Sequence, residues 1–245
     1  MKQMKFHPLP IAILLTSLLV TQSQAFSQTG ADDVLADEPL RYIDDGVFIS
    51  EAIPVLRIIV DEAFEYVGYI QFILKDIAHV DRHFFVSTRG SVINRLIVLQ
   101  FEGFLDGVDD TYRGGIPTSE LAGGDYRYTD HFVRLGDAEY VHNTWAFDHA
   151  ANARDAPGAE SAKTLEFLEA QGLRLADELI MSRYMRVVGA DRRNELIIFY
   201  METLRLSGHS LEEFPEDGPP TEGYDVLSAA VSRRAQRSFA ILPQE

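Results

Sequence analysis

The stretch His79 to Phe104, "HVDRHFFVSTRGSVINRLIVLQFEGF", constrains the fold of this chain more than any other. Two runs rich in β-branched and aromatic residues flank Arg89–Ser91, and a glycine between such runs marks a hairpin. The second run is apolar on both of its alternating sets. Ile93, Ile97, Leu99 and Phe101 form one row, and Leu96 and Val98 form the other. A strand covered on both faces reads this way, so Val92 to Phe104 belongs in the middle of a sheet.

Other segments repeat the pattern. "VLRIIV" and "FEYVGYIQFIL" suit strands, and "HFVRLGDAEYVHNTWAFD" reads as a hairpin turning at Gly136-Asp137. "ELIMSRYMRVV" and "NELIIFYMETL" flank "GADRR" as a further hairpin. Two helices stand out. "AESAKTLEFLEAQGL" stops at Gly172, and "YDVLSAAVSRRAQRSFAIL" places Leu227, Ala230, Val231, Ala235 and Phe239 on one stripe. Strands in series, a helix, a hairpin and a closing helix predict an α+β fold. Its sheet is antiparallel, either open or strongly curled into a partial barrel. The two main helices lie before the last hairpin and at the C-terminus.

The start of the chain reads as an export signal. Lys2 and Lys5 precede the short apolar run Ile11 to Val20, and "SQA" ends at Ala25. That run is too short for a membrane span, which needs roughly 20 apolar residues. Cleavage after Ala25 would leave 220 of the 245 residues, enough for one self-sufficient core. Residues 26–52 read as a loosely ordered acidic arm and 53–245 as a single domain. The expected location is therefore periplasmic or secreted.

An exported chain can use disulfides, but this one contains no cysteine, which excludes thiol redox chemistry and thiolate metal sites. Losing Lys2 and Lys5 leaves 20 basic against 38 acidic residues, a balance of −18. That charge repels phosphate backbones and anionic lipid surfaces, so neither nucleic acid nor membrane insertion of the mature chain is expected.

On a strand, His79, Asp81 and His83 share one face, and Val80, Phe84 and Val86 share the other with Arg82 among them. Residues four apart are separated by about 13 Å, so the outer histidines cannot bind one ion. A divalent metal site would use Asp81 with His79 or His83, completed by His131 or His142. The plainer expectation is a solvated His/Asp row opposite a buried apolar row. There is no "HExxH" and no nucleophile motif, and the expected cofactor is none.

Polar residues inside the most apolar strands are the more unusual feature. Arg95, Gln100 and Glu102 interrupt one, Arg183 and Arg186 a second, and Glu195 and Glu202 a third. Isolated charges in a sheet core are costly, so each needs water, a partner or a ligand. Arg95, Glu102, Arg183, Tyr184 and Glu202 are therefore the candidate pocket residues, and Arg95, Arg183 and Arg186 the candidate partners of Glu102 and Glu202.

Three functions fit. The first is an exported soluble binding or envelope-interaction protein, not an enzyme, holding a small, partly apolar ligand between sheet and helix. Its partner is a small molecule or another envelope protein. The second is a metal-dependent enzyme using the His/Asp set. The third is a structural subunit docking through a sheet face.

Overall fold

The computed structural model describes residues 40–113, 128–155, 159–214 and 222–243. The described chain opens with a hairpin, β1 (Arg41–Asp44) and β2 (Val47–Ser50), followed by β3 (Leu56–Val60). Three long strands come next: β4 (Glu65–Leu74), β5 (Ala78–Arg89) and β6 (Val92–Phe104). The pair β7 (Tyr128–Leu135) and β8 (Ala138–Asp148) leads into helices α1 (His149–Asp155) and α2 (Glu160–Ala170). After the short β9 (Arg174–Leu175), β10 (Glu178–Val188) and β11 (Asn194–Thr203) form the last hairpin. Helix α3 (Glu222–Ser238) runs directly into β12 (Phe239–Ile241).

The architecture is α+β with antiparallel sheets. The larger sheet has the order β4-β5-β6-β11-β10-β8-β7, with β9 added in parallel to β6; the smaller has the order β1-β2-β3-β12. Neither closes into a barrel. β6 lies inside the larger sheet, between β5 and β11, as its two apolar rows require. One row, Ile97, Leu99 and Phe101, meets Phe48 and Ile58 of the small sheet and, with them, Val231 and Ala235 of α3. The other, Leu96 and Val98, packs with Phe84 of β5 and Leu168 of α2. The described residues thus form three layers: the small sheet beside α3, the large sheet, then α1 and α2.

Four features depart from the sequence expectation. Arg41–Ser50 is a hairpin and not a loose arm, because Asp45 and Gly46 both take positive φ (45° and 76°), the geometry of a tight two-residue turn. Ile93 packs on the α2 side, away from Ile97, because Ser87 pairs with Arg95 and Thr88 with Ile93. Asn94 is the extra residue, and such a bulge flips the alternation beyond it. The closing helix stops at Ser238, and Phe239–Ile241 pairs with β3. Helix α1 follows Asp148, whose carboxylate accepts the Ala151 N–H at 2.7 Å.

The segment after β6 is rich in glycine and aspartate. Its described part is clamped, since Arg192 donates to the Tyr112 carbonyl at 2.8 and 3.1 Å and Arg193 to the Leu105 carbonyl at 2.9 Å. Residues 1–39 and 114–127, which hold the export signal, most of the acidic arm and the rest of that segment, lie outside the described residues. Among the described residues, no helix is long and apolar enough to cross a membrane.

Candidate functional site

The His/Asp row of β5 alternates as expected but is not wet. Asp81 and His83 face the small sheet and are 9% and 1% exposed, and only His79, at the strand end, is open to solvent. The cause is the β1–β2 hairpin, which covers this face with Phe48 and Arg41. Phe48 stands edge-on to the His83 ring at 4.7 Å, and Tyr69 stacks on it at 5.2 Å. Tyr66 Oη and His83 Nδ1 share a hydrogen bond at 3.0 Å. His83 Nε2 lies 3.1 Å from Asp81 Oδ1, skewed from hydrogen-bond geometry, and Arg41 donates to Asp81 Oδ2 at 3.1 Å. Burial pushes the Asp81 carboxyl up, but His83 and Arg41 outweigh it and hold it below its ordinary value. Burial also raises the Tyr66 phenol, with Asp81 and Tyr69 adding to the rise, which keeps it protonated. The arrangement is a packed core histidine, hydrogen-bonded through Nδ1 and set against a carboxylate at Nε2.

His142 belongs to a different place. It lies under α3, where its Nε2 is 2.7 Å from Ser182 Oγ and 3.3 Å from Ser232 Oγ. Ser182 donates to Tyr184 Oη at 3.2 Å, and Tyr184 donates to the Ser232 carbonyl at 3.3 Å. Every one of these side chains is buried, so a Ser–His contact that elsewhere would suggest a nucleophile has no route for a substrate. Strand order places β8 four spacings from β5, about 19 Å at ~4.8 Å each. His142 therefore cannot join Asp81 and His83 around one ion. The His131 side chain lies outside the described residues. Among the described residues, no three His, Asp or Glu side chains form a metal-binding group.

The charges of β6 and β11 gather at two sites on opposite faces of the large sheet. Under α2, the buried Arg82 donates to Thr164 Oγ1 at 2.7 Å and to the Glu160 carbonyl at 2.9 Å, and it also bonds the Gln100 and Glu160 side chains. Gln100 passes a hydrogen bond to Glu102, whose second oxygen accepts from Tyr112 at 3.1 Å. Glu195 stands directly across the ladder from Glu102. Like charges paired this way repel, and burial adds to the cost. Burial first, then Glu160, raises the Glu102 carboxyl; burial, then Glu102, lifts Glu195 from 4.5 to about 7. His149, 4% exposed, has no hydrogen-bond partner on either ring nitrogen among the described residues, and burial lowers it from 6.5 to about 4.

On the α3 side, Glu202 is the centre. Both Nε and Nη2 of Arg234 bind its carboxylate, the former at 3.0 Å, and Tyr200 and Ser207 donate to it at 2.9 and 3.1 Å. Above this cluster a groove of about 360 Å³ opens between α3 and the turn after β11. Leu206, Val226, Leu227 and Ala230 give it an apolar wall, and Arg95, Glu202 and Arg234 a charged floor. Arg95 faces Glu202 across the ladder, yet among the described residues it makes no hydrogen bond or ion pair, and its Nε is buried without a partner.

Of the five residues expected at a pocket, the groove unites Arg95 and Glu202. Glu102 lies on the opposite face, and Tyr184 lies in the buried His142 network. Arg183 donates to Asn143 at 3.1 Å and sits over the Trp145 ring. Arg234 binds Glu202 while Arg95 faces it unbonded across the ladder, and Arg82 is linked to Glu102 through Gln100. Arg82 was marked by its place in an otherwise apolar row; Arg234 carried no such mark, lying on the polar flank of a helix. No protein-family model matches the chain, and no curated protein or solved structure matches it either.

Proposed function

We propose that this chain is an exported, non-catalytic binding protein that holds a small, partly apolar ligand in the groove between α3 and the large sheet. The observation that carries the reading is the groove itself: an apolar helix wall facing a charged sheet floor, of a size at the low end of small-molecule sites. Two further points support it. The buried Ser182–His142 contact has no access for a substrate, and strand order divides the His/Asp set. Docking through a bare sheet face is the weaker account, because the centre of the large sheet is covered on both sides by the chain itself.

Export with cleavage after Ala25 would place the groove in the periplasm or outside the cell, where the mature chain's negative charge keeps it soluble. Native mass spectrometry of the protein recovered from the exported fraction tests both parts. The expected polypeptide begins at Phe26 and carries a bound small molecule. Ala230→Trp, which fills the groove from the helix side, should release it. A ligand retained by that variant would move the binding site elsewhere.

A further inference from the structure

We infer that the ligand is a small monoanion with an apolar tail, an aliphatic carboxylate, seated on Arg95. This inference rests on the groove reading and adds the ligand's chemistry to it. The argument is one of charge. Glu202 and Arg234 bind each other through two parallel contacts, and the hydroxyls of Tyr200 and Ser207 occupy the remaining acceptor sites of Glu202. His209, at the rim, is held by Glu213 at 2.8 Å. One charge is left over. Arg95 is a groove-lining cation with no bonded partner among the described residues.

That surplus is unusual in this chain, where acidic residues outnumber basic ones by 38 to 22. Carboxylates are plentiful, yet among the described residues none bonds Arg95, because the cross-strand carboxylate that would pair with it is already bound to Arg234. A guanidinium presents parallel N–H donors that match the two oxygens of a carboxylate. The wall opposite, Leu206, Val226, Leu227 and Ala230, offers nothing but apolar contact. A head that satisfies one positive charge and a tail that covers aliphatic side chains together describe an amphiphilic monoanion. The volume, about 360 Å³, is that of roughly twelve waters at ~30 Å³ each, which accommodates a short or medium chain.

The test is calorimetric titration of the exported chain with octanoate, 1-octanol and octylamine at one ionic strength. Octanoate should bind, the alcohol more weakly by roughly 10–100-fold, and the amine not at all. Arg95→Met keeps an unbranched stem and removes the guanidinium, and it should bring octanoate down to the affinity of the alcohol. Equal binding of octanoate and octanol to the wild-type chain would overturn the monoanion while leaving the groove in place; this arm needs no variant to fold. Octanoate binding unaltered by Ala230→Trp would instead remove the groove, and the inference with it.

Discussion

The two charged sites sit on the same two strands, β6 and β11, back to back, and they are unbalanced in opposite directions. Under α2, three carboxyls (Glu102, Glu160 and Glu195) gather around Arg82. On the α3 side, two guanidiniums face one carboxylate, and Arg234 alone of the two binds Glu202 among the described residues. The first excess is covered: α2 lies over it, the hydrogen bonds run from sheet to helix, and burial raises the Glu102 and Glu195 carboxyls. The second faces an open groove, and there Arg95 has no bonded partner among the described residues. A buried imbalance is settled internally by protonation, whereas an accessible one is available to a ligand. This contrast, more than the hydrogen-bond count at either site, is the reason to look for function on the α3 side.

The largest effect expected from this comparison is at Arg82. Arg82→Met strips Glu160, Thr164 and Gln100 of their common donor and removes the only arginine bonded to the Glu160 side chain among the described residues. Breaking a buried pair by deleting one partner costs about 3–5 kcal/mol, to be read from urea denaturation near neutral pH. A loss under about 1 kcal/mol would show that α2 is held by Leu168 and the Phe84–Phe167 stack alone. Glu202→Gln should cost less, about 2–3 kcal/mol, because Arg234 is one-third exposed and water compensates it. The same substitution frees Arg234 beside Arg95, so octanoate should bind more tightly to it than to the wild-type chain. Weaker binding would mean that Glu202 shapes the anion site as well as neutralising its neighbour.

How far these sites were legible in the sequence follows from what each required. The strands and their faces were readable because period-two patterning is local: Leu96 and Val98 against Ile97 and Leu99 needed no partner to interpret. The bulge at Asn94 was not, since nothing in "SVINRL" says which residue goes unpaired. The missed hairpin is different, because "RYIDDGVFIS" contains Asp-Gly between apolar residues, a strong hairpin signal that was masked by the acidic composition around it. Its cost was large, since β1 and β2 turn the His/Asp row from a wet face into a core. Arg95 and Glu202 were recognisable as polar residues within apolar strands. Their separation from Glu102, and the capture of Glu202 by Arg234, depend on which face each helix covers, and that is a tertiary fact.

The smallest effect probes whether the acid excess under α2 is felt as charge or only as burial. Glu195 is 7% exposed, and burial, then Glu102, with Glu160 adding and Arg183 opposing, lifts it from 4.5 to about 7. The folded chain therefore keeps this proton over a range in which the unfolded chain releases it. Its contribution to stability is fully present below pH 4.5 and is lost as pH rises through about 7. His149 has the opposite sign: burial and then Arg82 depress it from 6.5 to about 4, so its contribution is present above pH 6.5 and lost as pH falls through about 4. Between about 4.5 and 6.5 the two slopes oppose each other, and the wild-type stability should be nearly flat there. Glu195→Gln keeps the shape and removes the acid. It should match the wild type near pH 4 and exceed it by about 1–2 kcal/mol near pH 8, with stability now rising across the formerly flat window. If the difference between the two chains is the same at every pH, folding does not shift the Glu195 carboxyl. The two faces would then differ in exposure alone, and the free cation at Arg95 would have to stand on its geometry without the contrast.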